Sequence, residues 1–189
     1  MEFTIETNVL YEIFKTVKPF TGQDYRHPVI AGICCDVYRD KMRCVALDGN
    51  YLFDGVFPIL STKEEGRFVL PIIDGFKRSK DVYSTTRVKV DKTTITIENE
   101  TNTITVKKFN EDYPDWTKVV PKTPAESHIF MDATLLKNAL GAFSKGEKVK
   151  IEYRGLTQAL VITGEKARTL VLPVRIDPNK EKELYNGMA

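Results

Sequence analysis

Few side chains in this sequence have the types and spacing that catalysis requires. Neither of its two histidines belongs to a recognisable nucleophile motif with a serine or cysteine, and the sequence has no phosphate-binding glycine loop. The acidic cluster Glu111, Asp112 and Asp115 either offers carboxylates to a divalent cation or forms a solvated turn. Trp116 beside it is either a stacking residue or an aromatic packed at a loop corner. The residues alone thus make a hydrolase triad improbable and leave an unrecognised acidic site near these carboxylates as the enzymatic alternative; no cofactor or metal is expected.

The cysteines indicate the compartment. Cys34, Cys35 and Cys44 are odd in number, two of them are adjacent in an apolar run, and none has metal-ligand spacing. We expect them to be reduced core residues of a cytoplasmic protein. No stretch approaches the roughly 20 apolar residues of a membrane span, and the first residues lack a signal pattern. The sequence thus predicts a soluble protein without membrane contact.

An apolar pattern repeats three times along the chain. Each copy predicts one short strand, an amphipathic helix and three more strands. The opening strands are Phe3–Glu6, Arg67–Leu70 and His128–Met131. The later strands are expected at 29–38, 42–47, 51–60, 87–90, 94–98, 103–108, 148–153, 159–163 and 169–176. Three such units predict an α+β fold with antiparallel sheets.

Each copy also has signals for the start of its helix. Thr7 and Asp132 are expected to cap the first and third helices, and Pro71 suits the first turn of the second. The apolar faces are Leu10, Ile13, Phe14 and Val17, then Ile72, Ile73 and Phe76, then Leu135, Leu136, Ala139, Leu140 and Phe143.

Basic residues recur on the polar sides of the three predicted helices. The net charge of +2 does not by itself indicate a nucleic-acid partner, so any such surface must come from local clustering. The clustered residues are Lys15, Lys18, Lys77, Arg78, Lys80, Lys137 and Lys145. They are either ordinary solvated surface or a positive strip that binds phosphates without reading sequence.

The prolines at 121 and 124 mark the predicted domain boundary. Residues 1–121 are expected to form one domain of two repeat units, and residues 125–176 a half-domain of one unit. A lone unit leaves sheet edges and a helix flank unpaired, so it should pack against the first domain or another chain. Residues 177–189 are predicted to be a charged tail.

Four separated motifs carry a resemblance to a known family. They are Met1–Ile5, His27–Gly32, Val45–Leu52 and Tyr113–Pro121. In order and spacing they resemble the middle domain of the bacterial DNA polymerase III beta subunit, the DNA sliding clamp. Residues 129–176, ending in Leu170–Ile176, resemble the second half of the last domain of that clamp.

The resemblance implies a non-enzymatic processivity factor. Such a clamp encircles duplex DNA without sequence preference and tethers polymerases or repair proteins through a hydrophobic pocket for their short peptide motifs. In the family this pocket lies between the two pieces retained here. The matching positions are Ile30, Leu47, Gly49, Tyr51, Leu52, Pro114, Lys118, Val119, Leu170, Leu172, Pro173, Val174 and Arg175.

The departures from the family pattern leave alternatives open. The chain lacks counterparts of the first clamp domain and of half of the last, and family sequences usually have threonine and arginine where Leu47 and Tyr51 stand. A homo-oligomer is expected, and the count of repeat units fits a ring of four chains as well as a dimer in which two half-domains complete one domain. The alternative function is a clamp paralogue that does not encircle DNA and only binds clamp-binding peptides.

Overall fold

The structure is a computed structural model that describes residues 1–22, 27–125 and 127–177. The chain divides into two compact units, Met1–Val120 and Pro121–Ala189, and each is described by itself. The predicted tail, residues 177–189, lies outside the described residues except for its first residue. In the part of the chain that is described, no helix has both the length and the hydrophobicity to cross a bilayer.

Unit 1 contains two antiparallel sheets and a helix. The four-stranded sheet has the order β4-β3-β2-β6, and the five-stranded sheet has the order β5-β1-β7-β8-β9. The strands are β1 (Glu2–Glu6), β2 (Gly32–Tyr38), β3 (Lys41–Leu47), β4 (Leu52–Pro58), β5 (Ser61–Thr62), β6 (Gly66–Pro71), β7 (Thr85–Val90), β8 (Thr94–Glu98) and β9 (Thr103–Lys107). Helix α1 spans Thr7–Val17.

The two repeat copies of unit 1 exchange their first strands. Strand β1 belongs to the first copy but pairs with β7 of the second, with Phe3 opposite Val88. Strand β6 belongs to the second copy but pairs with β2 of the first, with Cys35 opposite Phe68. Each sheet therefore combines three strands of one copy with the first strand of the other, and the short strand β5 adds a fifth strand beside β1 in the larger sheet.

The core of unit 1 forms where α1 meets both sheets. The predicted apolar face is confirmed, because Leu10, Ile13, Phe14 and Val17 are all buried. They pack with sheet residues such as Ile33 and with other buried aliphatic side chains of both sheets. Burying a side chain of this size contributes roughly 1.5–3 kcal/mol, so this face fixes α1 in place.

Thr7 does not cap α1 as the sequence predicted. Glu6 occupies the N-cap position, and Thr7 is the first helical residue. The Thr7 hydroxyl is buried and shares hydrogen bonds of 2.9 Å with the hydroxyls of Ser84 and Thr86. The threonine therefore joins the start of α1 to the start of β7.

Replacing Thr7 with valine is expected to lower the free energy of unfolding by about 1–3 kcal/mol, because it leaves two buried hydroxyls short of a partner. Urea denaturation followed by circular dichroism measures the change. The matched control is Thr96→Val, which removes one member of an exposed threonine pair and should change stability by less than about 0.5 kcal/mol. Equal losses in both variants would contradict the role of Thr7.

The prediction of a second helix is wrong. Pro71 remains in β6 opposite Gly32, and the residues from Ile72 to Ser84 form turns and irregular backbone. Gly75 adopts a φ of +83°, which interrupts a right-handed helix only four residues after the proline. Phe76 still packs on Phe14, at 5.4 Å between ring centroids. The apolar spacing correctly predicted which side chains pack against the core, but it wrongly predicted that they lie on a helix.

Unit 2 contains one helix and one three-stranded antiparallel sheet. Helix α2 spans Ala133–Leu140, and the sheet has the order β10 (Lys150–Glu152), β11 (Leu160–Thr163) and β12 (Arg168–Val171). Asp132 caps α2 as predicted by accepting hydrogen bonds from the backbone N–H groups of Thr134 and Leu135.

Two features of unit 2 differ from expectation. Residues 128–131 are not a regular strand, although the carbonyl of Phe130 accepts a hydrogen bond from the N–H of Val174 at 2.8 Å. Helix α2 also has no buried residue, and Leu135 and Leu140 are exposed. Both units nevertheless combine an α-helix with antiparallel sheets, so the α+β prediction is confirmed.

Candidate functional site: an apolar surface beside the four-stranded sheet

Two small apolar clusters meet at one end of the four-stranded sheet of unit 1. One centres on Val29, Ile30 and Val69, and the other on Cys34, Val45 and Trp116. The partly buried side chains of Leu47 and Tyr113 pack against both clusters. We call Ile30, Leu47, Leu52 and Tyr113 the apolar surface. Its members come from three separate stretches of the chain.

The turn between β3 and β4 positions two members of the apolar surface. Leu47 and Leu52 lie directly opposite each other at the end of the β3–β4 pair. The Asp48 carboxylate accepts hydrogen bonds from the N–H groups of Asn50 and Tyr51, and these bonds lower the pKa of Asp48. Gly49 in this turn has a φ of +93°, a conformation that favours glycine. A tight turn therefore joins β3 to β4.

Tyr51 is held away from the apolar surface. Its hydroxyl donates a hydrogen bond of 2.7 Å to the carbonyl of Pro19, and its ring meets Phe20 edge-on at 5.1 Å. The side chain is 49% exposed. Tyr51 therefore flanks the turn and is tied to the segment that follows α1.

Tyr113 fixes the other side of the apolar surface. Its hydroxyl accepts a hydrogen bond from the N–H of Leu47 at 3.2 Å. Burial raises the pKa of Tyr113 to about 12. The phenol thus stays neutral at physiological pH and supports the end of β3.

Trp116 packs at a loop corner, one of the two alternatives that the sequence left open. It is buried, and the Arg43 guanidinium lies 4.7 Å from the centroid of its ring. Arg43 also forms a two-pronged ion pair with Asp54, at 2.8 and 2.7 Å, and this partner raises the pKa of Arg43. The tryptophan is therefore part of the support beneath the surface.

Replacing Tyr113 with phenylalanine is expected to cost about 0.5–1.5 kcal/mol at pH 8, because the N–H of Leu47 loses its acceptor. The raised pKa of Tyr113 also predicts that stability is full below pH 10 and declines as the pH rises towards 12, when ionisation of the phenol is forced. This decline should be shallower in the variant, and urea denaturation at pH 8 and pH 11 measures both effects. Tyr83→Phe, at an 87% exposed tyrosine, should behave like the unmodified chain.

The remaining predicted residues of unit 1 follow Tyr113 along the chain. Pro114, Lys118 and Val119 are exposed, and Val119 is 68% exposed. Lys118 forms an ion pair of 3.5 Å with Asp115. The exposed side chains of Lys118 and Val119 therefore lie a few residues after Tyr113, a member of the apolar surface.

The acidic cluster has a structural role at Asp115. Its carboxylate accepts hydrogen bonds from the N–H and the hydroxyl of Thr117, and these bonds lower the pKa of Asp115. Within the described ranges, no group of three or more potential metal ligands comes together.

The predicted pocket residues of unit 2 lie on and after β12. Val171 is buried, whereas Leu170, Leu172 and Val174 are 64%, 70% and 42% exposed. Val171 therefore fills the core, whereas Leu170, Leu172 and Val174 form an outward set. Pro173 is half-buried and Arg175 is exposed.

The basic residues at the C-terminal end of α1, Lys15 in its last turn and Lys18 at its C-cap, are partly neutralised. Lys15 lies 3.6 Å from Glu12, and Lys18 forms an ion pair with Asp74. Both lysines remain exposed at the surface of unit 1. They therefore present less net positive charge than the sequence pattern predicted.

The second basic group lies in the irregular segment after β6, not on a helix. Lys77, Arg78 and Lys80 line a cavity of about 600 Å³, together with the 99–102 turn between β8 and β9. Among the described residues these three make no ion pair. The turn adds amide, hydroxyl and carboxylate groups that no sequence pattern indicated, and Asp81 and Glu100 line the cavity together with the basic side chains.

The third basic group is divided between two elements. Lys137 is exposed on α2, and Lys145 is exposed in the loop after it, beyond the C-cap residue Gly141.

Solved structures supply the comparison, since no family model and no curated protein matches this chain. The sliding clamp of Pseudomonas aeruginosa aligns with a TM-score of 0.77 at 18% identity, over 94% of this chain and 51% of that one. The Bacillus subtilis clamp gives 0.74 at 15% identity, over 94% and 50%. The Helicobacter pylori beta clamp bound to a DNA ligase peptide gives 0.65 at 14% identity, over 91% and 51%.

These similarities show that the chain has the fold of the bacterial DNA polymerase III beta sliding clamp. They confirm the resemblance seen in the sequence at the level of fold. The chain spans about half the length of the clamp structures it matches.

Proposed function

We propose that the protein is a clamp-related, non-enzymatic DNA-replication factor of the cytoplasm that tethers polymerases or repair proteins to duplex DNA. The observation that carries the proposal is the apolar surface of Ile30, Leu47, Leu52 and Tyr113, set on a sliding-clamp fold. A clamp of similar fold has been solved with a DNA ligase peptide, so peptides of this kind are the ligands that we propose here.

The chemistry of the apolar surface suits short hydrophobic motifs. Leu47 and Leu52 are only partly buried, so they offer aliphatic contact area to a leucine or phenylalanine anchor of a peptide. Lys118 is exposed nearby in sequence and supplies a cation for a carboxylate or polar group of that peptide.

We propose the same class of ligand for the outward set of unit 2. Leu170, Leu172 and Val174 form a run of exposed aliphatic side chains that has no other assigned role. Arg175 ends this run with an exposed guanidinium, which can bind a carboxylate through two hydrogen bonds.

Duplex DNA is the proposed second ligand. Lys77, Arg78 and Lys80 are concentrated around one cavity, which Asp81 and Glu100 also line, and Lys137 and Lys145 add exposed charge on unit 2. Lysine and arginine contacts to phosphates give affinity that does not depend on base sequence.

The alternative is a peptide-binding module that does not encircle DNA. One observation favours it: Lys15 in the last turn of α1 and Lys18 at its C-cap both have acidic partners. This alternative keeps the peptide ligand and removes the DNA ligand.

The test is a bridging assay on bead-bound duplex DNA with blocked ends. A dye-labelled peptide of the Gln-Leu-x-Leu-Phe type is added with and without the protein, and a scrambled peptide is the control. Tethering predicts that the labelled peptide stays on the beads only when the protein is present. Peptide binding in solution without recruitment to DNA would support the alternative, and no binding of either ligand would contradict both.

A further inference from the structure

Strand β10 forms an open edge of the sheet of unit 2. In the described part of the chain, β10 pairs with β11 and with no strand on its other side. Ile151 of β10 lies opposite Ile162 of β11, so the two side chains share one face of the sheet. Ile162 is completely buried, yet Ile151 is 55% exposed. The core of unit 2 is therefore left uncovered at this edge.

Unit 1 shows what occupies the equivalent edge. There, Val88 lies opposite Ile97 just as Ile151 lies opposite Ile162, and Val88 is completely buried. It is covered because β1, donated by the other repeat copy, pairs with β7 and places Phe3 opposite Val88. The equivalent edge in unit 2 would need an opening strand from another repeat copy.

The residues before α2 have the features of that opening strand. When the N-caps Glu6 and Asp132 are aligned, Ile129 takes the place of Phe3 and Met131 that of Ile5. In both units, the segment before the helix also accepts a main-chain hydrogen bond from the residues that follow the last of the three strands after that helix. The N–H of Leu60 bonds to the carbonyl of Thr4 in unit 1, and Val174 bonds to Phe130 in unit 2.

We propose that two copies of this chain form a dimer by exchanging residues 128–132. Each segment would pair antiparallel with β10 of the other copy and extend that sheet to four strands, repeating across a two-fold axis the exchange seen within unit 1. This inference does not depend on peptide or DNA binding.

Transferring the β1–β7 register gives complementary cross-strand pairs. Ile129 comes opposite Ile151, and Met131 comes opposite Val149, which continues the apolar core. At the two ends, Asp132 comes opposite Lys148, and His128 comes opposite Glu152. Unit 1 has a comparable opposite-charge pair in this ladder, Glu2 opposite Lys89. The opposite-charge pair of Asp132 and Lys148 at one end, together with the apolar pairs between the ends, favours this one register.

The helix face favours the same partner. Leu140 lies at the position of Phe14 when the N-caps are aligned, but Leu140 is 42% exposed whereas Phe14 is 5% exposed. A second copy would bring a second sheet to this face, as the second repeat copy of unit 1 does for α1.

The test measures the solution mass of the full chain by light scattering across micromolar concentrations. We expect twice the 21.5 kDa chain mass for the unmodified protein, and a mass near one chain for Ile151→Glu. The matched control is Leu156→Glu, at an aliphatic residue that is 60% exposed in the β10–β11 loop, and it should stay dimeric. A monomer at every concentration, or equal behaviour of the two variants, would overturn the proposal.

A disulfide-trapping variant tests the register without disturbing the fold. Ile129→Cys combined with Ile151→Cys should give, on oxidation, a covalent dimer that is separated again by reductant. Ile129→Cys combined with Leu156→Cys should stay monomeric on the same gel. The native cysteines are all buried, so they are poor competitors. A disulfide formed only within one chain would overturn the exchange.

Discussion

Leu52→Asp is expected to weaken binding of a Gln-Leu-x-Leu-Phe peptide by about 30-fold or more. The substitution removes an aliphatic side chain from the apolar surface and places a charge where a hydrophobic anchor must be desolvated. Truncating a central interface residue typically costs about 2 kcal/mol or more, which corresponds to that factor. Fluorescence anisotropy of a labelled peptide measures the change.

The control for this prediction is Leu60→Asp. Leu60 is 52% exposed in the same unit but is not part of the apolar clusters, so its substitution should leave affinity within about twofold. Leu172→Asp tests the outward set of unit 2 at a side chain that is 70% exposed, where a charge costs little folding energy. Peptide affinity that is unchanged in both Leu52→Asp and Leu172→Asp, with both proteins folded, would refute the proposed peptide site.

The second large effect is expected when the charges of Lys77, Arg78 and Lys137 are reversed together. If these residues contact phosphates, the variant should lose DNA binding at physiological salt. The slope of log affinity against log salt should fall in magnitude by about three, roughly one for each phosphate that the variant no longer neutralises. Titrations of duplex DNA at several salt concentrations measure both quantities.

A variant with the same change in net charge controls for long-range electrostatics. Lys41, Lys122 and Lys166 are exposed and lie outside the predicted DNA-facing set, so reversing them should change affinity far less. If the two triple variants lose DNA binding equally, the assignment of the DNA-facing residues is wrong and only overall charge matters.

The sequence predicted most of the architecture because its apolar periodicities are strong. Leu10, Ile13, Phe14 and Val17 follow the helical period over a full helix, and the structure buries all four. The hairpin at Asp48 and Gly49 was predictable because few residue pairs suit a turn that needs a positive φ.

The second helix failed for a local reason. Ile72, Ile73 and Phe76 have helical spacing, and they do pack against the core. Gly75 interrupts the segment after too few residues for a stable turn, so burial is achieved by an irregular chain instead. Spacing alone does not distinguish these two ways of burying the same side chains.

The candidate site was predicted in part. The motifs indicated Leu47 and Leu52, but the support from Arg43, through the Trp116 ring and the Asp54 carboxylate, depends on contacts distant in sequence. Likewise, acidic partners reduce the positive charge of Lys15 and Lys18. The helix geometry places Glu12 beside Lys15, whereas only the tertiary fold brings the turn at Asp74 to Lys18.

The decisive measurement for the proposed function is the affinity of the unmodified full chain for the peptide, obtained by isothermal titration against a scrambled peptide of the same composition. A peptide-binding tether should show saturable binding of the motif peptide and none of the scrambled one. No detectable binding of the motif peptide, or equal binding of both, would contradict the proposal that this sliding-clamp fold serves as a peptide-binding tether.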